Sequence, residues 1–144
     1  MSIDQKTITA YALRILSKRE HSVYELRRKL MTKFGDNKDW VDETINDCLE
    51  NDWISNERYC AAYIRDQILK RSGPYKIQMK LGEKGIGKDM ARDQIGIVYT
   101  EDQQKEIKSY LEERKREEIL RKKPKISDFE LNGKVMQYLR GKGF

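Results

Sequence analysis

The chain has 144 residues, of which 38% are charged and 38% hydrophobic. A composition this polar excludes a single large hydrophobic core and favours a row of small helical units with much of its surface in water. The 30 basic and 24 acidic residues give a formal net charge of +6. This excess favours a nucleic acid or an acidic protein as partner.

Cysteine and histidine are too sparse for a metal site. The only cysteines are Cys48 and Cys60, and the only histidine is His21. This pattern indicates neither a disulfide framework nor a zinc site, so we expect two buried, reduced thiols and no cofactor. No apolar run is long enough to span a bilayer, and the N-terminus has no apolar leader. We therefore expect a cytoplasmic protein without a membrane contact.

The first helix is predicted from Asp4, a capping residue, to about Lys18. The second begins with a capping-box pattern at Ser22 and Glu25. Its apolar residues recur every three or four positions and therefore share one helical face. They are Val23, Leu26, Leu30 and Phe34, and basic residues lie between them. Gly35, just past this helix, is expected to take the left-handed conformation that often ends a helix.

Six more helices are predicted from similar patterns, and no β-rich alternating run is present. We predict them from 39, at 56–71, 74–84, 88–99 and 101–122, and from 127. The fold class is therefore all-α. The seventh helix carries a charged run at 112–123 with three favourable i,i+4 pairs, Glu112–Arg116, Glu117–Arg121 and Glu118–Lys122. We interpret this run as a solvated helix face and not as a binding site.

A repeat links the second, fifth and eighth helices. Leu30, Leu81 and Leu139 each end an apolar i,i+4 pair, are followed by a lysine three residues later, and then by a glycine. Leu30 and Leu81 are 51 residues apart, and Leu81 and Leu139 are 58 apart. Units of this size stack on neighbours to bury their faces. We predict an elongated array of three tandem three-helix repeats at 1–54, 55–99 and 100–144, the third lacking its last helix.

These patterns resemble the signature of the RecX family, the regulators of the RecA recombinase. The matching strings are HSVYELRRKL at 21–30, DWISNERYCA at 52–61, GPYKI at 73–77 with LGEKGI at 81–86, and YLRGKGF at 138–144. Asp52 stands where the family usually has a glycine. The resemblance implies a non-enzymatic modulator that lies along the groove of the RecA–single-stranded-DNA filament. It implies inhibition of filament extension, ATP hydrolysis, strand exchange and the coprotease function of RecA.

Basic residues of the first two units are the candidate contacts for acidic RecA surface or for DNA phosphate. They are Arg27, Arg28, Lys33, Lys70, Arg71, Lys76, Lys80 and Lys84. Segment 54–99 has 9 basic and 5 acidic residues, against 9 and 10 in 1–53 and 12 and 9 in 100–144. The second unit is therefore predicted to supply most of the electrostatic contact. Tyr24 and Tyr75 lie beside these bases and are candidates for stacking on nucleobases.

A tandem helix-turn-helix DNA-binding protein is the alternative. Its units would also be three short helices, with Arg27 and Arg28, or Lys76 and Lys80, on a recognition helix. No nucleophile, acid–base set or phosphate-cradling glycine motif indicates an enzyme. The resemblance implies that the partner is the RecA filament with its single-stranded DNA. Nothing in the sequence indicates a dimer, so we expect a monomer.

Overall fold

The computed structural model describes residues 4–144, so the first three residues of the predicted first repeat lie outside the described part. Every regular element within 4–144 is helical, which agrees with the all-α prediction. The α-helices are α1 (Gln5–Leu16), α2 (Val23–Phe34), α3 (Lys38–Glu50), α4 (Asn56–Leu69), α5 (Pro74–Glu83), α6 (Lys88–Val98), α7 (Glu101–Lys122) and α8 (Asp128–Gly141). A short 3-10 turn, Gly35–Asn37, joins α2 to α3.

Side-chain caps fix the starts of most of these helices. The predicted capping box of α2 is formed, because Ser22 Oγ accepts from the Glu25 N–H and the Glu25 carboxylate accepts from the Ser22 N–H. Thr100 and Gln103 form a second box at α7. Ser55 and Ser127 cap α4 and α8 in the simpler one-way manner.

The buried side chains fall into three separate clusters. The first is built by α1–α3, the second by α4–α6 and the third by α7 and α8, and we call these groups of helices the first, second and third units. The third cluster has five buried residues, Leu111, Ile119, Leu131, Val135 and Leu139. The accessible surface of 9790 Å² is about a quarter above the roughly 7800 Å² expected of a compact protein of this mass. The array is therefore elongated.

The second helices of the three units stand end to end. At the junction of the second and third units, the Gly73 N–H donates to the Lys142 carbonyl (2.6 Å) and the Tyr75 N–H donates to the Gly143 carbonyl (3.0 Å). The C-terminal end of α8 therefore caps the N-terminus of α5, which has no side-chain cap of its own. At the other junction the end of α5 meets the start of α2, where Gly85 lies against Tyr24.

Four helix ends share one hydrogen-bonded motif with a left-handed residue. In each, the N–H after that residue reaches back to a carbonyl five positions earlier, the Schellman arrangement. The left-handed residues are Asp52 (φ 55°), Arg71 (58°), Gly85 (79°) and Gly143 (99°). Glycine occupies the two junctions, because a methyl group at residue 85 or 143 would lie 2.5 Å from the Cβ of Tyr24 or Lys76.

Gly35 differs from the expectation. Its φ is −58°, in the ordinary right-handed region, so the predicted left-handed end of α2 is wrong. No heavy atom would lie within 4 Å of a Cβ at Gly35. The chain instead continues through the 3-10 turn into α3.

The left-handed backbone of Asp52 predicts a gain in stability on substitution by glycine. A residue with a Cβ in this conformation costs about 1 kcal/mol or more, and glycine removes that cost. We expect Asp52→Gly to be more stable than Asp52→Ala by about 1 kcal/mol in urea unfolding. Both variants lose the carboxylate, so equal stabilities would contradict the backbone explanation.

The two junction glycines predict a contrast within the repeat. Gly85→Ala and Gly143→Ala each combine a disfavoured φ with a collision, so we expect each to lose about 2 kcal/mol of unfolding free energy. Gly35→Ala is the matched control, and it should equal or exceed the wild type because its backbone is helical. Thermal or urea unfolding of the three variants measures this, and similar losses in all three would contradict the end-to-end contact.

Candidate functional site

A basic groove runs along the junction of the first and second units. This N-terminal groove has a volume of about 750 Å³ and lies between α1, α2 and the end of α5. Its lining includes six basic and two acidic side chains, together with two tyrosines. They are Lys18, Arg19, Arg28, Lys29, Lys33 and Lys84; Glu25 and Glu83; and Tyr11 and Tyr24.

Glu25 neutralises part of the N-terminal groove. Its carboxylate accepts from Arg19 (3.0 Å) and lies 3.9 Å from the Lys84 ammonium, across the junction. Burial alone would raise the pKa of Glu25, but the hydrogen bonds from Arg19 and the Ser22 N–H outweigh it and lower that pKa. The ammonium of Lys33 lies 4.5 Å from the centre of the Tyr11 ring, a cation–π distance. Arg19 and Lys84 are thus partly neutralised by Glu25, whereas Lys33 lies over an aromatic ring.

His21 lies in the wall of this groove and is only 2% exposed. Nδ1 is 2.9 Å from the Arg19 carbonyl, so Nδ1 carries the proton and donates it. Nε2 then accepts from the Lys29 ammonium at 2.9 Å. Burial, opposed in part by the Arg19 carbonyl, lowers the pKa of His21, and the charges of Arg19 and Lys29 lower it further. His21 is a neutral structural residue.

A second basic groove lies at the junction of the second and third units. This C-terminal groove has a volume of about 400 Å³ and is formed by the end of α4, by α7 and by α8. It has the same balance of six basic, two acidic and two tyrosine side chains. They are Lys70, Arg71, Arg114, Lys115, Arg121 and Lys142; Glu117 and Glu118; and Tyr110 and Tyr138.

Tyrosine rings hold the cations of the C-terminal groove in place. The guanidinium of Arg71 lies 4.6 Å from the centre of the Tyr110 ring, and that of Arg114 lies 5.5 Å from it. Arg114 also donates to the Tyr110 hydroxyl (2.6 Å), a contact that lowers the pKa of Tyr110. The ammonium of Lys115 lies 4.8 Å from the centre of the Tyr138 ring. Tyr110 thus brings together cations of two elements, and Tyr138 of α8 contacts one cation of α7.

The grooves bring together five of the eight predicted contact residues. Arg28, Lys33 and Lys84 line the N-terminal groove, and Lys70 and Arg71 line the C-terminal groove.

The other three predicted residues, Arg27, Lys76 and Lys80, line neither groove. Arg27 forms an ion pair with Asp42 inside the first unit, and Lys76 is half-buried beside Gly143. Of the predicted stacking residues, Tyr24 lines the N-terminal groove, whereas Tyr75 is exposed outside both.

Sequence reasoning missed the contribution of α7. Two of the three predicted ion pairs form there, Glu112–Arg116 (3.2 Å) and Glu118–Lys122 (3.4 Å). Arg114, Lys115 and Arg121 instead line the C-terminal groove. The available signal was the spacing of Tyr110, Arg114 and Arg121, four and seven residues apart, which places them on one helical face.

Within residues 4–144, no group of three or more His, Cys, Asp or Glu side chains is arranged to hold a metal ion. No helix of the described chain is both long and apolar enough to cross a bilayer. Both cysteines are buried and free, as expected, and burial raises the pKa of Cys60 to about 11. The excess of basic over acidic side chains in both grooves favours the binding of anions.

His21 predicts a pH-dependent loss of stability. Because its pKa is lowered on folding, the unfolded chain binds more protons below pH 6.5, and stability falls as the pH drops through 6.5 towards the folded pKa. We expect the unfolding free energy to decline more between pH 8 and pH 5 in the wild type than in His21→Gln, which cannot take up the proton. Urea unfolding at each pH measures this, and parallel profiles would contradict the explanation.

The chain is similar to known proteins over nearly its whole length. The family model described as RecX, second three-helix domain, matches residues 55–93. The regulatory protein RecX of Actinobacillus pleuropneumoniae serotype 5b (strain L20) is 32% identical over 139 residues, which cover 96% of this chain and 85% of that protein. The regulatory protein RecX of Salmonella newport (strain SL254) is 32% identical over 146 residues, covering 92% and 81% respectively.

A solved structure supports the same assignment. The crystal structure of RecX from Lactobacillus salivarius matches with a TM-score of 0.85 and 28% identity, covering 98% of this chain and 88% of that one. The predicted all-α array of three-helix repeats is therefore confirmed. With relatives above 30% identity across most of both sequences, the chain belongs to the RecX family of regulatory proteins.

Proposed function

We propose that this protein regulates a RecA-type recombinase by binding along the groove of the recombinase filament on single-stranded DNA. Bound there, it inhibits filament extension and with it the recombinase, ATPase and coprotease activities. The observation that carries the proposal is the end-to-end row of α2, α5 and α8, with a basic groove at each of its two junctions.

The shape and the charge of the molecule both support this proposal. An elongated array follows a helical groove over several subunits, which a compact protein of the same mass cannot do. Cations grouped in two grooves attract phosphate or acidic protein surface over a long range, and they release counterions on binding. Both effects weaken with salt, so inhibition is expected to be salt-dependent.

We propose that the contacts come from all three units. The set includes the predicted residues Arg27, Arg28, Lys33, Lys70, Arg71, Lys76, Lys80 and Lys84. The groove geometry favours the five that line a groove over Arg27, Lys76 and Lys80. It also adds Arg114, Lys115 and Arg121 of the third unit. We further propose that the repeats divide at 54/55 and 99/100, that the protein acts as a monomer in the cytoplasm, and that its role involves no catalysis.

The test is a RecA ATPase assay on single-stranded DNA with this protein added below the RecA concentration. We expect the wild type to inhibit, and we expect Arg28→Glu/Lys33→Glu to raise the half-inhibitory concentration about tenfold through lost electrostatic attraction. Lys105→Glu/Lys108→Glu is the matched control, because it reverses the same amount of charge on exposed lysines outside both grooves, and its effect should be smaller.

Two results would count against the proposal. No inhibition by the wild type at an equimolar ratio would overturn the regulatory mechanism. Equal losses in the two double variants would show that general charge, and not the N-terminal groove, carries the contact. Sequence-specific binding to duplex DNA that survives moderate salt would instead support the helix-turn-helix alternative.

A further inference from the structure

We propose that the C-terminal groove is a phosphate clamp for single-stranded nucleic acid that is assembled by the docking of the third unit on the second. It binds the phosphates of the strand and does not read the bases. The inference rests on the proposed function and deepens it, because it assigns the nucleic-acid contact to one groove.

The clamp is composite. Lys70 and Arg71 come from the end of the second unit's first helix, whereas Arg114, Lys115 and Arg121 come from α7 of the third unit. Lys142, at the end of α8, is the residue whose carbonyl accepts from the Gly73 N–H at the junction. The backbone contact that docks the two units therefore also sets the distance between their cations.

Arg71 adopts the left-handed backbone conformation, which is unfavourable for most residues other than glycine, asparagine and aspartate. Its φ is 58° and its side chain is exposed. The arginine nevertheless gains a specific contact, because its guanidinium lies 4.6 Å from the centre of the Tyr110 ring, which belongs to the third unit. The side chain of Arg71 is thus held across the junction between the second and third units.

Tyr110 orders two guanidinium groups at once. Arg114 donates to its hydroxyl, and Arg71 stacks near its ring. Guanidinium groups bind phosphate oxygens in pairs, and groups that are already fixed lose less entropy on binding. The two ordered guanidinium groups come from two units, and Lys70, Lys115 and Lys142 lie around them. This arrangement matches a ligand that carries successive phosphates.

The same contacts argue against base stacking and against a peptide. Cations already lie near the rings of Tyr110 and Tyr138, so these rings are engaged before a base arrives. The one aliphatic residue in the lining, Leu111, is itself buried, and a peptide side chain finds no apolar pocket. Anionic groups remain, and the successive phosphates of a strand match a row of cations contributed by two units.

The test uses the full chain alone, without recombinase, and fluorescence anisotropy of a labelled oligodeoxythymidine of about 15 nucleotides. Arg71→Gly is the decisive variant, because it removes the guanidinium and relieves the backbone strain, so it folds at least as well as the wild type. We expect binding about tenfold weaker and a shallower salt dependence. Asp52→Gly is the control for backbone strain: it relieves the same left-handed conformation at the end of α3, outside the C-terminal groove, and it should not weaken binding.

Two further arms test the ligand and the docking. An abasic oligonucleotide of the same length should bind within about threefold of oligodeoxythymidine, because the phosphates carry the contact. Gly143→Ala changes no charge but disturbs the docking, and it should weaken binding about as much as Arg71→Gly. A folded Gly143→Ala protein, checked by circular dichroism, that binds as the wild type does would overturn the composite assembly.

The clamp is overturned if the wild type binds no oligonucleotide, if Arg71→Gly binds as tightly as the wild type, or if abasic strands bind far more weakly. Displacement by polyglutamate as effective as by unlabelled oligonucleotide would also overturn it, in favour of a general acidic partner. If the wild type inhibits RecA but Arg71→Gly binds the strand as the wild type does, the clamp is rejected and the proposed function stands. If Arg71→Gly loses strand binding but the wild type does not inhibit RecA, the clamp stands and the proposed function is rejected.

Discussion

The end-to-end contact between second helices depends on a backbone geometry that only glycine permits. At Gly143 the left-handed turn brings two consecutive carbonyls to the N-terminus of α5, and a side chain on that residue would collide with Lys76. The extensive helix–helix contacts lie within each unit, for example between α2 and α3 and between α7 and α8. The relative position of the second and third units, and hence the shape of the C-terminal groove, therefore depends on this contact.

Electrostatics favour the same arrangement. The carbonyls at the C-terminus of α8 face the free N–H groups at the N-terminus of α5, so the two helix dipoles add head to tail. Lysines occupy the C-terminal caps of α5 and α8, where the negative end of the dipole stabilises them. A lysine that stabilises the C-terminus of the second helix in a repeat therefore also places a cation beside the junction.

Local rules predict the elements of this fold well. Capping patterns and apolar spacing locate α2 at Val23–Phe34 and α7 at 101–122, because both signals lie within a few residues of one another. The end of α2 is different, because the conformation of Gly35 depends on the 3-10 turn that it begins and on the packing of α3 against α2. Local patterns cannot predict the C-terminal groove, because Arg71 and Tyr110 are 39 residues apart and meet only through the docking of two units.

The two junctions differ in charge at one equivalent position of the repeat. Glu25, near the start of α2, lies 3.9 Å from Lys84 and lowers the positive charge of the N-terminal groove. With the 51-residue offset of the repeat, the equivalent residue of α5 is Lys76, a cation in place of an acid. The start of α5 therefore carries a cation beside the end of α8, whereas the start of α2 carries an acid that offsets Lys84. The proposed phosphate clamp lies at the junction that lacks this acid, and its two halves meet through the docking of the third unit on the second.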